Sequence, residues 1–147
     1  MWQLFRSSRE SRFFQPVLET LESREAPAGV AAAAGAAIAD VTMQFSALQA
    51  SLTAGNYSQA NANLQTISND FNVLQNSAGQ LDTPSRIQVD NTMIGNGLGL
   101  VQLGANVFPQ NPYFGYDMVV LGVDAVFVGY LDQQISSVYG SLNFAVL

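Results

Sequence analysis

The sequence predicts an all-α protein: a four-helix up-down bundle (residues 29–147) preceded by a charged N-terminal leader (residues 1–28). Apolar residues recur at steps of three and four over most of the chain, which is the periodicity of amphipathic helices. Clusters of Gly, Asn and Pro interrupt this periodicity at three places, so we expect three turns. At 147 residues, the chain is long enough for one domain with a buried core.

Charge separates the leader from the body. The first 25 residues contain every Glu and all the Arg residues but one. Beyond residue 25 the one cation is Arg86, set against seven Asp residues. Because binding to a phosphate backbone needs clustered Lys and Arg, we expect no nucleic-acid partner for the body.

The chain contains no Cys, His or Lys. Disulfides, histidine acid–base or metal chemistry and lysine Schiff bases are therefore excluded. No zinc-ligand spacing, nucleophile elbow or complete phosphate-binding loop occurs. We expect a non-catalytic protein without cofactor or metal, since an enzyme would have to work with Asp and Tyr alone.

The leader contains a recognisable motif. Leu18-Glu19-x-Leu21-Glu22-x-Arg24 is followed by Pro27-Ala28 and preceded by Arg12, Phe14 and Pro16. This pattern, over residues 12–28, resembles the LExLExR-type leader of planctomycete exported proteins. The resemblance implies an extracytoplasmic destination, secreted or in the cell envelope, and implies nothing about the body. The residues to which it assigns a sorting role are Leu18, Glu19, Leu21, Glu22, Arg24 and Pro27.

The Ala/Gly run from Val30 to Ala39 has two interpretations. With Ala37-Ile38-Ala39 as a cleavage site, it would be the apolar region of a signal peptide cut before Asp40. Otherwise it forms the first turns of helix one, because Ala is the strongest helix former.

The first two helices have the clearest periodicity. Gly55 and Asn56 predict the turn between them, since Gly suits a left-handed helix cap. The spacing predicts two antiparallel helices whose apolar stripes are Ile38, Val41, Phe45, Leu48 and Leu52 in helix one, and Tyr57, Ala60, Leu64, Ile67, Phe71 and Leu74 in helix two.

Helix three is predicted from Asp82 or Thr83 to about Val107, with Pro84 as a start signal. Four glycines between Gly95 and Gly104 cost about 1 kcal/mol each relative to Ala, so a strand or irregular stretch there is the alternative. A turn at residues 108–112 follows.

The last helix is predicted from about Tyr113 to Leu142, ending near Gly140. Its stretch from Met118 to Leu131 is apolar on nearly every face. A helix that is apolar all round belongs in a protein core or in lipid. We therefore expect the rest of the chain to cover this stretch.

The glycines of the last helix suggest a contact. Gly115, Gly122 and Gly129 are seven residues apart and fall on one stripe, and Gly97 and Gly104 repeat the interval on helix three. Small residues in register allow two helix backbones to approach closely, so we predict a helix-packing seam. The alternative is that the glycines are incidental. Asp117 and Asp124 would face away from the seam.

Asp124 has apolar helical neighbours, and a buried ionised carboxylate must find a partner or a proton. Under one hypothesis Asp124 lies at the bundle edge, and Arg86 pairs with Asp82 or Asp90 on its own helix. Under the other, Arg86 and Asp124 form a buried pair.

These observations predict a non-catalytic secreted or cell-surface helical structural or interaction module. Its partner would be an unknown envelope protein or a second copy of the chain. The alternative is a membrane-associated protein that inserts or oligomerises through its Gly-rich second half, residues 94–131.

Overall fold

The computed structural model describes residues 28–145, with side chains up to Val138. This part of the chain is all-α, which confirms the predicted helical bundle. The helices are α1 (Ala28–Thr53), α2 (Tyr57–Ala78), α3 (Thr83–Val107) and α4 (Pro112–Ala145).

Local signals set the turns where the sequence places them. Gly55 ends α1 with a φ of 69°, and the Asn56 side chain accepts a hydrogen bond from the Gln59 backbone N–H at the start of α2. Asp82 caps α3 by accepting from the Ser85 N–H, and Pro84 occupies the first turn.

Three of the observed helices differ in extent or continuity from at least one of the sequence-based predictions. Helix α1 already begins at Ala28, and the Val30–Ala39 run forms its first turns. Helix α3 is continuous through its glycines, so the strand alternative is wrong. Helix α4 continues past Gly140 to Ala145, because glycine alone does not end a helix.

The bundle consists of two helical hairpins, α1–α2 and α3–α4. Connections of three or four residues make the helices of each hairpin antiparallel. The hairpins meet chiefly where α3 lies against α1 and α2, and where α4 lies against α2. Within residues 28–145, α1 and α4 do not approach each other.

The core lies between the hairpins. Its largest fully buried apolar side chains are Val41, Leu48, Ile67, Leu74, Val89, Leu100 and Met118. At one end, the Tyr57 and Phe114 rings meet edge to face with centroids 6.0 Å apart. A Cβ at Gly99 would lie 2.6 Å from the Phe45 ring, so this glycine makes room for α1 against α3.

Candidate functional site

Five glycines lie where α3 and α4 touch: Gly97 and Gly104 on α3, and Gly115, Gly122 and Gly129 on α4. A Cβ built at Gly97 would lie 2.6 Å from the Gly122 carbonyl oxygen, and one at Gly122 would collide with the Gly97 carbonyl. One at Gly104 would lie 2.6 Å from the Gly115 carbonyl. No side chain fits at these positions, so the two backbones are in direct contact. We call these five residues the glycine seam.

The other end of α4 extends the same contact. A Cβ at Gly129 would lie 2.9 Å from the Asp90 carbonyl oxygen. A Cβ at Gly95, by contrast, would have no neighbouring atom within 4 Å, because this glycine lies on the exposed side of α3. The glycines of α3 therefore differ in environment although they are close in sequence.

A third face of α4, apart from the seam side and the buried side toward α2, is apolar and exposed. It consists of Tyr113, Tyr116, Val120, Val123, Phe127 and Tyr130, which we call the outer face. Tyr113 is 88% exposed and Phe127 is 62% exposed. The expectation that the chain covers residues 118–131 is not met by the described residues, which bury the seam side and the α2 side of α4 and leave this third side exposed.

No family model, curated protein or solved structure matches this chain.

Both aspartates of α4 that were predicted to face away from the seam are exposed. Asp117 and Asp124 lie along one edge of the outer face, on the side toward α2, where Asp124 borders a groove with Phe71 and Asn72. The bundle-edge hypothesis for Asp124 is therefore confirmed, and the buried Arg86–Asp124 pair is wrong.

Arg86 pairs across the hairpin with a residue that the sequence pattern did not single out. Its Nε donates to Asp132 Oδ2 at 2.6 Å, and a second guanidinium nitrogen donates to the other carboxylate oxygen. The predicted pairing with Asp82 or Asp90 is wrong, because Arg86 reaches α4 instead. This bidentate hydrogen bond lowers the pKa of Asp132.

Asp90 lies beside this pair and is fully buried. Its Oδ2 finds no donor among the described residues, and the neighbouring Asp132 carboxylate can only accept. Burial, with a further contribution from the Asp132 charge, raises the pKa of Asp90 to about 7. A protonated Asp90 can donate a hydrogen bond to the Asp132 carboxylate. The two carboxyl groups together therefore favour the state that holds one proton.

The first hairpin has a similar carboxyl pair. Asp70 on α2 lies beside Asp40 on α1, and the Asp70 Oδ2 is buried without a donor among the described residues. Burial and the nearby Asp40 charge raise the pKa of Asp70 to about 6. Gln44 donates to Asp40 at 3.2 Å and holds that carboxylate in place. Each hairpin thus contains one pair of close carboxyl groups.

An open groove of about 380 Å³ runs between α2 and α4, with Asp90 and Asp132 at its base and Leu131 and Ile135 on its wall. No three acidic residues converge as a metal site would need within residues 28–138. The ionisable side chains that line the groove are the Asp90 and Asp132 carboxyl groups, and the nearby Arg86 is already engaged by Asp132.

The predicted sorting motif, from Leu18 to Pro27, lies outside the described residues. Two described helices, Ala28–Thr53 and Pro112–Val138, are long and apolar enough to cross a membrane by length and composition. Of the apolar windows of these helices, 33% is buried in the bundle for α4 and 17% for α1. Two such helices are weak evidence for a membrane-spanning role, because core helices and signal sequences have the same length and composition.

Proposed function

We propose that this protein is a non-catalytic helical interaction module of the cell envelope that binds its partner through the outer face of α4. The observation that carries the proposal is the continuous row of six exposed apolar side chains on that face. Single exposed apolar residues are normal on soluble proteins, whereas a contiguous row indicates a binding surface.

The other helices provide the comparison. On α2 the large exposed apolar side chain is Val73, and on α1 it is Met43. Helix α3 exposes two such side chains, Ile87 and Leu98, which lie far apart along the helix. None of these three helices therefore offers a comparable row of large apolar side chains among the described residues. The glycine seam supports the proposal because it fixes α4 rigidly on α3 and presents the outer face on a stiff scaffold.

The proposed location depends on the leader. Its resemblance to planctomycete export leaders supports delivery to the envelope, where an exposed apolar face would meet a partner. Deleting residues 1–28 should abolish export while leaving the far-UV circular dichroism and melting temperature nearly unchanged, because the change in charge at residue 25 separates the leader from the body. Normal export of the truncated chain would contradict the sorting role.

A second candidate is membrane association through the second half of the chain, favoured by the length and exposure of α4. Asp117 and Asp124 oppose it, since Asp at mid-membrane costs about 2.5–3.5 kcal/mol. The described residues also lack the flanking Lys and Arg that anchor helices at a membrane surface. We therefore favour a protein partner.

Two exposed valines allow a matched test. Val123→Glu places a charge in the outer face, and Val73→Glu places the same charge on α2; the two side chains are 52% and 38% exposed. Tagged full-length chains expressed in the native cell would be isolated with the envelope fraction. We expect the Val123→Glu chain to be lost from the envelope fraction and the Val73→Glu chain to remain in it.

Equal retention of wild type and both variants would contradict the proposal. Flotation of the wild-type chain with phosphatidylcholine vesicles, lost in Val123→Glu, would instead favour the membrane candidate.

A further inference from the structure

We infer that the outer face of α4 binds the outer face of a second copy of this chain, with the two α4 helices antiparallel across a two-fold axis. This inference rests on the proposed function and identifies the partner of the same surface. It follows from the order of the side chains along α4, their exposed area and the distribution of charge.

The outer face has the spacing of a coiled-coil seam. Successive members are 3, 4, 3, 4 and 3 residues apart, from Tyr113 to Tyr130. This alternation is the repeat that keeps two packed helices in contact, and at about 1.5 Å per residue it extends for roughly 25 Å. The face is therefore shaped to pack along another helix.

The order of residue types along this face is the same from both ends. Reading inward, it runs aromatic, aromatic, valine from Tyr113, and aromatic, aromatic, valine from Tyr130. The spacing is also symmetric about the point midway between Val120 and Val123. Two copies placed antiparallel about that point would pair Tyr113 with Tyr130, Tyr116 with Phe127 and Val120 with Val123. Such a pattern is self-complementary, as a two-fold interface requires.

The exposed area is near what a stable dimer needs. The four aromatic side chains of the face are 55–88% exposed. At about 200 Å² for each whole side chain, they offer roughly 500 Å² per copy. Specific interfaces bury about 800 Å² per partner, and the two valines with Leu131, which follows Tyr130 on the same helix, can supply part of the remainder.

The charges fit a second copy better than a charged partner or an anionic surface. None of the six side chains of the outer face is charged, and Asp117 and Asp124 lie at its edge. In the antiparallel arrangement these four carboxylates of two copies would share one edge of the dimer, outside the contact. Their mutual repulsion should make association tighter as salt is raised.

Sedimentation of the full-length chain from low to high micromolar concentration tests the inference. We expect a monomer–dimer equilibrium that Val123→Glu weakens at least about tenfold and that Val73→Glu leaves unchanged. Tyr130→Glu is a second variant for use if Val123→Glu does not fold. Added salt should strengthen wild-type association.

Single cysteines test the orientation, because the natural chain has none. Mild oxidation of Tyr113→Cys mixed with Tyr130→Cys should give a cross-linked heterodimer, while Tyr113→Cys alone should not cross-link. The reverse result would establish a parallel pair and overturn the antiparallel inference.

A wild-type monomer at every concentration would overturn self-association. The proposed function would still stand if Val123→Glu, and not Val73→Glu, lost envelope retention. Monomeric protein that floats with phosphatidylcholine vesicles would assign the face to lipid and overturn both proposals.

Discussion

The two hairpins reach close packing by opposite means. The α1–α2 hairpin fills the space between its helices and the rest of the bundle with large side chains such as Leu48, Ile67 and Leu74. The α3–α4 hairpin removes side chains from its contact, so that Gly97 and Gly122 place the backbones together. One bundle therefore contains both a side-chain core and a backbone contact.

This difference determines where the apolar bulk of each hairpin lies. In α2, a single apolar stripe is buried and Asn, Gln and Ser face solvent. In α4, glycines occupy the side toward α3, and large apolar residues lie on the α2 side and on the outer face. Close backbone packing in the second hairpin thus accompanies a large apolar surface that the first hairpin lacks.

The largest expected effect comes from emptying the side-chain core. Leu48→Ala removes a fully buried side chain and should lower the free energy of unfolding by about 2–5 kcal/mol, because the cavity cannot fully collapse. Chemical denaturation monitored by far-UV circular dichroism measures this. The control is Met43→Ala, at an exposed position on the same helix, which should change stability little. A similarly small effect of Leu48→Ala would show that the stability of the first hairpin does not depend on close side-chain packing.

Adding a side chain to the glycine seam should destabilise the second hairpin. Gly122→Ala adds a Cβ against the Gly97 carbonyl and should cost about 1–3 kcal/mol, although alanine is the better helix former. Gly95→Ala, where nothing lies within 4 Å, should instead stabilise by up to about 1 kcal/mol. If both substitutions raised the melting temperature, helix propensity would outweigh contact and the seam would have no energetic role.

Acid should stabilise the fold through both carboxyl pairs, and more through Asp90 than Asp70. Between the unfolded value of 3.8 and a folded pKa of about 7, the folded chain keeps a proton on Asp90 that the unfolded chain releases. The free energy of unfolding should therefore fall as pH rises through this window, by up to about 4 kcal/mol at roughly 1.4 kcal/mol per pKa unit. Thermal melting at several pH values measures the slope.

Substitutions of Asp90 and Asp70 distinguish the contributions of the two carboxyl pairs to the pH dependence of stability. Asp90→Asn should flatten most of the pH dependence between about 4 and 7, and Asp70→Asn should remove a smaller part that ends near its folded pKa of about 6. Stability that rose with pH in this range would contradict the raised pKa values. The lowered pKa of Asp132 has the opposite effect, because the ionised Asp132 stabilises the folded chain. This stabilisation is lost only when the pH falls below the pKa of Asp132 in the unfolded chain.

The smallest expected effect is also the one in which the hairpins should agree. Asn56 caps α2 by accepting from the Gln59 N–H at 3.1 Å, and Asn111 caps α4 by accepting from the Phe114 N–H at 3.2 Å. Replacing either Asn by Ala should cost about 1 kcal/mol. Urea denaturation of the two variants in parallel would show whether caps contribute equally; a large difference would mean that the turns, too, differ between the hairpins.

The sequence alone determined the helices and the turns between them. Apolar periodicity and capping residues such as Gly55, Asn56 and Asp82 act over a few neighbouring residues, so their effect is visible without tertiary structure. The seven-residue glycine interval likewise identified the stripe of α4 that lies on α3, because spacing along a helix fixes which residues share a face. The end of α4 was less well defined, since Gly140 lacks a second stop signal.

Tertiary structure alone decided which face of α4 stays exposed and which charges meet. Arg86 finds Asp132 and Asp90 becomes buried because α4 lies beside α3 at one particular register, which no local pattern specifies. Residues 118–131 are apolar on nearly every side, so their sequence could not say which side would remain uncovered. That side is the outer face, because within the described part of the chain α4 has neighbours on two sides only, α3 and α2.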